Sequence, residues 1–205
     1  MAARTVRANT RKKPQQERSV AMVATLLEAA TRVFVKEGYA KATTNRIAKA
    51  AGVSVGSLYQ YFPSKDAIAV ELLRRYRDGL VELVGARLGV ATPETFTAVV
   101  RELIGELLRA EGINPALHRV LIEQVLRTSA RREMLGFEER LEAVLAEAMR
   151  AAKIELADPD LSAFMIVRVV LSVVQSAVVD RPKYKTAALA DELTDMVVGY
   201  VARVR

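Results

Sequence analysis

The stretch that decides the fold covers residues 43–65 and reads TTNRIAKAAGVSVGSLYQYFPSK. It predicts two short helices around a tight corner. Thr43 or Thr44 caps the first helix, because a hydroxyl oxygen accepts a hydrogen bond from a free amide at a helix start. Gly52 supplies the left-handed backbone conformation that ends this helix. Ser54 then caps the second helix.

The apolar residues of this stretch have the spacing of a helix-turn-helix. Ile47, Ala48 and Ala51 recur at three- and four-residue intervals, which places them on one inward face of the first helix. Two helices can cross closely here, because the spacing provides a small residue at Ala48, a turn residue at Gly52 and an apolar residue at Leu58. The pattern therefore predicts a helix-turn-helix rather than two independent helices, although an ordinary corner of a helical protein is the alternative.

The outward residues of the second helix carry no charge and, apart from Val55, are small or hydrogen-bonding. Such a surface can approach a DNA groove closely. Hydroxyl and ammonium groups suit backbone phosphates, and we assign Thr44, Tyr59, Tyr61 and Lys65 to this role. The amide of Gln60 and the hydroxyl of Ser57 suit base edges instead.

The string GVSVGSLYQYFPSK at residues 52–65 follows the pair at 43–44 and a helix that ends VKEGY at 35–39. Together these motifs, over roughly residues 18–66, closely resemble the TetR family of transcriptional regulators. The resemblance implies a DNA-binding domain whose contacts come from the starts of the second and fourth helices and from the third. The implied residues are Thr43, Thr44, Ser54, Val55, Gly56, Ser57, Tyr59, Gln60, Tyr61 and Lys65.

The positive charge of the chain lies at one end. Residues 1–65 hold 12 Lys and Arg against 3 Asp and Glu, a net charge of +9, whereas residues 66–205 hold 19 against 21, a net charge of −2. A localised basic segment is typical of a nucleic-acid module joined to a neutral one. We therefore predict three parts: a basic disordered arm at 1–14, the DNA-binding domain at 15–65 and a larger helical domain at 66–205.

The arm contains five cations, at positions 4, 7, 11, 12 and 13. As a DNA-binding arm it would neutralise phosphates or enter a neighbouring minor groove. A solubilising tail would have the same composition. The residues do not separate the two interpretations.

The remaining sequence predicts an all-α fold with about nine helices in the whole chain. An apolar stripe from about Glu17 to Lys36 predicts a first helix that braces the corner. Ser64 is expected to cap the fourth helix, and later helices are expected to open at Thr92-Pro93-Glu94, at Pro115 and at Asp158-Pro159.

The last two long helices, within residues 159–204, are too apolar for surface helices of a monomer. The resemblance implies that they pair with their copies in a homodimer, and a deep monomer core is the alternative. A dimer also suits DNA binding, since two recognition helices one helical turn apart match a palindrome.

The resemblance further implies a pocket for a small apolar or amphipathic effector in the C-terminal domain. Polar groups in apolar helices indicate where it lies, because a buried polar group needs a partner. Three of these, Arg168, Ser172 and Gln175, share one helical face, where either the pocket or the dimer interface would hold them. The predicted effector-binding residues are Tyr76, Leu103, Gln124, Met165, Arg168 and Ser172.

Several classes of site are disfavoured by composition. The chain has no cysteine and a single histidine, His118, so neither a thiolate nor a two-histidine metal site exists. No phosphate-binding glycine loop or triad motif occurs. The longest apolar run, residues 164–179, is interrupted by Arg168 and Gln175. We therefore expect no metal, no cofactor, no catalysis and no membrane partner.

These observations predict a homodimeric transcriptional repressor that an effector releases from a palindromic operator of double-stranded DNA. Such a protein is expected in the cytoplasm, and at the nucleoid when DNA-bound. The alternative is a DNA-binding protein without an effector, in an architectural or cell-division role.

Overall fold

The computed structural model describes residues 12–109, 117, 131–179 and 184–203. These ranges form eight α-helices and contain no strand, which confirms the predicted all-α class. The chain divides into two compact units, Met1–Ile68 and Ala69–Arg205.

The first unit is a three-helix arrangement followed by the start of a fourth helix. Its helices are α1 (Lys12–Glu37), α2 (Thr44–Ala51) and α3 (Val55–Tyr59), with α2 in contact with both α1 and α3. Large side chains from all three are completely buried, namely Leu26, Phe34, Ile47 and Leu58. The predicted bracing of the corner by the first helix is confirmed.

Helix α1 begins earlier than its apolar stripe indicates. It starts at Lys12, so residues 12–14 of the predicted disordered arm are helical. Pro14 falls in the first turn, where a missing amide hydrogen costs no helical hydrogen bond. Residues 1–11 of the arm lie outside the described residues.

Helix α4 (Lys65–Leu88) belongs to both units. Its start is capped as the sequence predicts, since the amide of Ala67 donates to Oγ of Ser64 at 3.1 Å. Its first four residues are part of the first unit, and the rest is part of the second. One continuous helix therefore carries the chain from one unit to the other.

The second unit contains the rest of α4 and four further helices, α5 (Phe96–Arg109), α6 (Arg131–Ala151), α7 (Pro159–Val179) and α8 (Thr186–Arg203). Helix α6 contacts α7, α5 contacts α8, and α7 also contacts α5 and α8. Their inward faces form one apolar core that includes Leu103, Leu141, Met149, Ala163 and Val197.

Helix starts in the second unit match the sequence signals with small shifts. Helix α7 begins at the predicted Asp-Pro pair, where the amide of Leu161 donates to Oδ1 of Asp158 at 2.9 Å. Helix α5 begins at Phe96, because residues 92–95 form a turn in place of the predicted first helical turn. The helix predicted from Pro115 lies outside the described residues, apart from the helical and buried Leu117.

Helix α7 divides its apolar residues between the core and the surface. The structure buries Ala163, Ile166, Val167 and Val174 in the core of the same chain, so for these residues the alternative of a monomer core is the one observed. The exposed residues are instead Leu161, Phe164 and Met165, at 54%, 42% and 43% exposure; we call them the α7 stripe. Residues 159–177 of α7 are also long and apolar enough to span a membrane by length and composition alone, a property shared with core helices of soluble proteins.

The corner conformation at Gly52 gives a stability prediction. Gly52 has φ of +70°, and a Cβ built there meets no atom within 4 Å. Gly52→Ala should therefore destabilise the protein by about 1 kcal/mol through backbone strain alone. Gly79, inside α4, has the same open surroundings, so Gly79→Ala should stabilise by roughly 0.5–1 kcal/mol. Urea unfolding followed by circular dichroism measures both, and shifts of the same sign would contradict the prediction.

Candidate nucleic-acid interface and effector cavities

The corner between α2 and α3 is built by three local caps. Thr43 caps α2 by accepting from the amide of Arg46 at 3.3 Å, and Ser54 caps α3 by accepting from the amide of Ser57 at 3.0 Å. Gly52, in the left-handed conformation, ends α2 with its amide donating to the carbonyl of Lys49 at 3.2 Å. These caps confirm the predicted helix-turn-helix geometry.

Helix α3 buries one side chain and exposes most of the others. Leu58 is completely buried, and Phe62 just beyond the helix is nearly so. The remaining predicted contact residues of this helix are exposed or half-buried: Ser54, Val55, Gly56, Ser57, Tyr59, Gln60 and Tyr61. The structure therefore brings them together on the solvent side of the corner, as an uncharged surface with hydroxyl and amide groups.

A hydrogen bond joins the start of α2 to the end of α3. Oγ1 of Thr44 lies 3.1 Å from the phenol oxygen of Tyr59, whose side chain is 51% exposed. The bond fixes the phenol group of a long side chain in one position before any ligand arrives. A preorganised hydroxyl pair of this kind suits an anionic oxygen such as that of a phosphate.

Lys65 is tied to the protein more tightly than a surface lysine. Its ammonium group donates to the carbonyls of Tyr39 at 2.9 Å and Ala42 at 3.2 Å, and lies 4.4 Å from the centre of the Tyr39 ring. The Tyr39 hydroxyl in turn donates to Asp66. Partial burial is the larger cause that raises the pKa of Tyr39, and this hydrogen bond raises it further. An ammonium group has three donors, so one remains for an external acceptor.

The second unit contains a partly open cavity whose described lining residues are all apolar, and we call it the apolar cavity. Its volume is about 80 Å³, and it lies among α4, α5, α6, α7 and α8. The predicted effector residue Leu103 lines it, together with Leu88, Phe96, Leu145 and Val197. Such a lining binds apolar groups and leaves polar ones without partners.

A neighbouring cavity of about 60 Å³ has a mixed lining, and we call it the polar cavity. Tyr76, Arg77, Glu138 and Gln175 contribute polar groups, and burial raises the pKa of the Tyr76 phenol. The predicted effector residue Tyr76 and the unassigned Gln175 therefore both lie at this cavity. Arg77 was not among the predicted site residues. The signal was its position on the apolar stripe of α4, since Leu73, Arg77 and Leu80 share one helical face.

The remaining predicted effector residues lie elsewhere. Met165 and Ser172 are exposed and line neither cavity, and Gln124 is outside the described residues. Arg168 forms ion pairs across to α6, with Glu138 and, at 3.1 Å, with Glu142. Its guanidinium also lies 5.0 Å from the centre of the ring of Phe164, a residue of the α7 stripe. Arg168 therefore joins two helices and contributes no lining to either cavity.

No group of three or more His, Asp or Glu side chains is placed to hold a metal ion within the described ranges. Polar chemistry at the cavities thus rests on Tyr76, Arg77, Glu138 and Gln175.

Comparison with known proteins identifies two family models that match the chain. The family model for bacterial regulatory proteins of the tetR family matches residues 26–72, and the model for the tetracyclin repressor-like C-terminal domain matches residues 95–200. An uncharacterized HTH-type transcriptional regulator of Mycobacterium tuberculosis is 30% identical over 178 residues, which cover 86% of this chain and 92% of the relative. The nucleoid occlusion factor SlmA of Glaesserella parasuis is 33% identical over 91 residues, and the match spans only 44% of either protein.

Solved structures share the fold. A TetR-family regulator from Mesorhizobium loti has a TM-score of 0.72 at 20% identity and covers 91% of this chain and 98% of its own. SmeT of Stenotrophomonas maltophilia, in complex with triclosan, has a TM-score of 0.65 at 22% identity, with coverages of 88% and 91%. FadR of Bacillus subtilis, in complex with stearoyl-CoA, has a TM-score of 0.62 at 24% identity, with coverages of 85% and 97%.

One family model covers the helix-turn-helix unit, and the other covers more than half of the chain. The sequence motif, the corner geometry and these matches lead to the same assignment: the chain belongs to the TetR family of bacterial regulatory proteins.

Proposed function

We propose that the protein is a homodimeric transcriptional repressor that binds a palindromic operator and is released by a small-molecule effector. The observation that carries the proposal is the exposed, uncharged face of α3 beside the Thr44–Tyr59 hydroxyl pair. It combines groups for base edges with groups for phosphates on a helix held by a single buried residue.

Each exposed group has a proposed role on DNA. Thr44, Tyr59 and Tyr61 contact phosphates, while Ser57 and Gln60 contact base edges. Thr43 and Ser54 act through the helix caps that set the angle of α2 and α3, and Val55 and Gly56 allow close approach to the groove. Lys65 mainly holds the start of α4 against the 39–42 segment and offers its remaining donor to a phosphate.

We propose that the dimer forms through residues 159–204 and that the α7 stripe is the central contact. Leu161, Phe164 and Met165 are exposed in the single chain, and Met196 on α8 is 47% exposed. Met165 and Ser172 lie on the same side of α7, because they are seven residues apart along the helix. We therefore assign these two residues to the interface and not to the effector site.

The effector site is proposed to comprise the apolar and polar cavities. Each is smaller than the cavity of about 150 Å³ that accommodates benzene in an engineered protein, so a ligand has to displace the surrounding helices. A ligand that fits only the expanded form binds the two forms with different affinity, as an allosteric effector must. SmeT and FadR, which share the fold, form complexes with triclosan and stearoyl-CoA, and this supports the proposal of a small-molecule effector.

Helix α4 is the proposed connection between the two functions. Tyr76 and Leu80 line the cavities, and the same helix begins in the DNA-binding unit at Lys65. Displacement of α4 by a ligand would change the spacing of the two recognition helices, which a palindrome fixes. The coupling free energy expected for such a system is about 1–3 kcal/mol.

The alternative is an effector-independent role in DNA architecture or cell division. The match to SlmA supports it, but this match covers less than half the length of either protein. Neither proposal includes a catalytic step, a metal or a cofactor. Both place the protein in the cytoplasm, at the nucleoid when it is bound to DNA.

The recognition helix is tested by two neighbouring variants. Tyr59→Phe removes one phosphate contact and should weaken binding to all sequences alike, by about 1.5–3 kcal/mol. Gln60→Ala should instead relax discrimination at one base pair, by about 1–3 kcal/mol. Anisotropy titrations against the selected operator and its single-base variants distinguish these outcomes. If both variants bind the whole panel as the parent does, α3 is not the recognition helix.

The basic arm is tested by removing residues 1–11, which deletes Arg4, Arg7 and Arg11 and leaves α1 intact. If these arginines contact phosphates, the slope of log affinity against log salt should become shallower by about 0.9 for each lost contact. An unchanged slope would identify the arm as a solubilising tail.

The dimer face is tested by Phe164→Asp, which places a charge in the centre of the α7 stripe. We expect the dimer to weaken by about 2 kcal/mol or more, roughly thirtyfold in dissociation constant. Val90→Asp is the matched control, since Val90 is 79% exposed and lies outside the stripe. Sedimentation equilibrium measures both, and equal dissociation constants for the two variants would exclude this face.

A further inference from the structure

Three cavities of the second unit lie in a row and share their walls. An open groove of about 630 Å³ between α4 and α6 is lined by Arg74, Arg77, Asp78, Phe137 and Arg140, among others. We call it the outer groove. It shares Arg77 and Phe137 with the polar cavity. The polar cavity in turn shares three leucines with the apolar cavity, Leu80, Leu107 and Leu171.

Polarity decreases steadily along this row. The outer groove is charged, and Asp78 pairs there with both Arg74 at 2.7 Å and Arg140 at 2.8 Å. The polar cavity has one arginine, a phenol, an amide and a carboxylate, whereas every described residue that lines the apolar cavity is apolar. A site with a charged entrance and an apolar end matches a molecule with one polar head and one apolar chain.

We propose that the effector is a single-chain amphipath with a carboxylate-type head, which lies beside Arg77 while its chain passes between Leu80, Leu107 and Leu171 into the apolar cavity. The regulatory consequence rests on the proposed function, whereas the ligand class follows from the cavities themselves.

The head group is assigned from the charges around the polar cavity. Arg77 is only 6% exposed, and its guanidinium lies 5.4 Å from the centre of the Phe137 ring. Its five N–H donors allow it to bind a carboxylate while keeping its contacts within the protein. Tyr76 and Gln175 can donate to the same head. The carboxylate of Glu138 is engaged by Arg168, which reduces its repulsion of an anion.

The three shared leucines form the barrier to the chain. Leu107 and Leu171 are only partly buried, and Leu80 is buried. Rotation of these side chains would join the two small cavities into one elongated space. An unbranched chain fits such a space better than a bulky ring system does, since each cavity alone has a smaller volume than a benzene-binding cavity.

Isothermal titration calorimetry on the full chain, without DNA, tests the ligand class with three probes of equal chain length: decanoate, 1-decanol and decylammonium. A charge-assisted hydrogen bond contributes about 1.5 kcal/mol or more, so decanoate should bind about tenfold tighter than 1-decanol. Decylammonium should bind most weakly. Equal affinities, a preference for decylammonium or no binding of any probe would overturn the proposal.

Variants of the barrier and of the head site locate the ligand. Leu171→Ala widens the barrier and should raise the affinity for dodecanoate relative to decanoate. Leu189→Ala is the matched control, because Leu189 is also a partly buried core leucine but lines neither cavity. Arg77→Gln should reduce the ratio of decanoate to 1-decanol affinity to about one. If that variant fails to fold, Tyr76→Phe, which removes only a hydroxyl, should lower the same ratio. An unchanged ratio in every folded head-site variant would overturn the head assignment.

The DNA readout separates this inference from the proposed function. If decanoate binds with the expected preference and lowers operator affinity, both stand. If decanoate binds with the expected preference but leaves operator affinity unchanged, the ligand class stands and the repressor mechanism fails. If operator binding is intact and no carboxylate amphipath binds, the ligand class fails and the DNA-binding function stands.

Discussion

The position of helix α3 in the DNA-binding unit depends on the burial of one of its side chains, Leu58. Helix α3 has five residues, too few to be stable in isolation, because helix nucleation costs more than so short a helix recovers. Leu58 anchors it in the core, and Ser54 and Gly52 fix its start and the corner before it. Since one residue holds the helix, the others need not contribute to packing. Their side chains remain available for a groove of DNA.

The second unit has more apolar residues than the core of one chain buries. Helix α7 directs Ala163 and Val167 into the core and leaves Leu161 and Phe164 exposed. The core in turn is not completely filled, and the small cavities between α4 and α7 remain. Incomplete packing costs stability. In the proposed mechanism, these cavities are also where a ligand would change the packing of α4, a helix that belongs to both units.

Local signals predicted the helix-turn-helix unit well. The predicted caps are found at the expected helix ends, namely Thr43, Gly52, Ser54 and Ser64. Such caps are predictable because each depends only on atoms within about four residues. Two helix starts differ from the prediction by a few residues. Helix α1 starts earlier because its first turn tolerates Pro14, and α5 starts later because Pro93 lies in a separate turn before the helix. For the candidate site, the residues predicted to face outward from α3 are exposed or half-buried in the structure, because they are consecutive residues around one short helix. Their contacts with DNA stay a prediction.

The amino-acid sequence by itself determined the all-α class, the family, the corner between α2 and α3 and the asymmetric charge, because each depends on residue type and local spacing. Only the tertiary structure decided which apolar residues of α7 face the core, that Arg168 pairs with α6, and that Tyr76, Arg77 and Gln175 meet at one cavity. Helix α7 is apolar on nearly every side, so its periodicity does not specify an inner face. The orientation of such a helix is set by the neighbours that pack against it, and these come from distant parts of the chain.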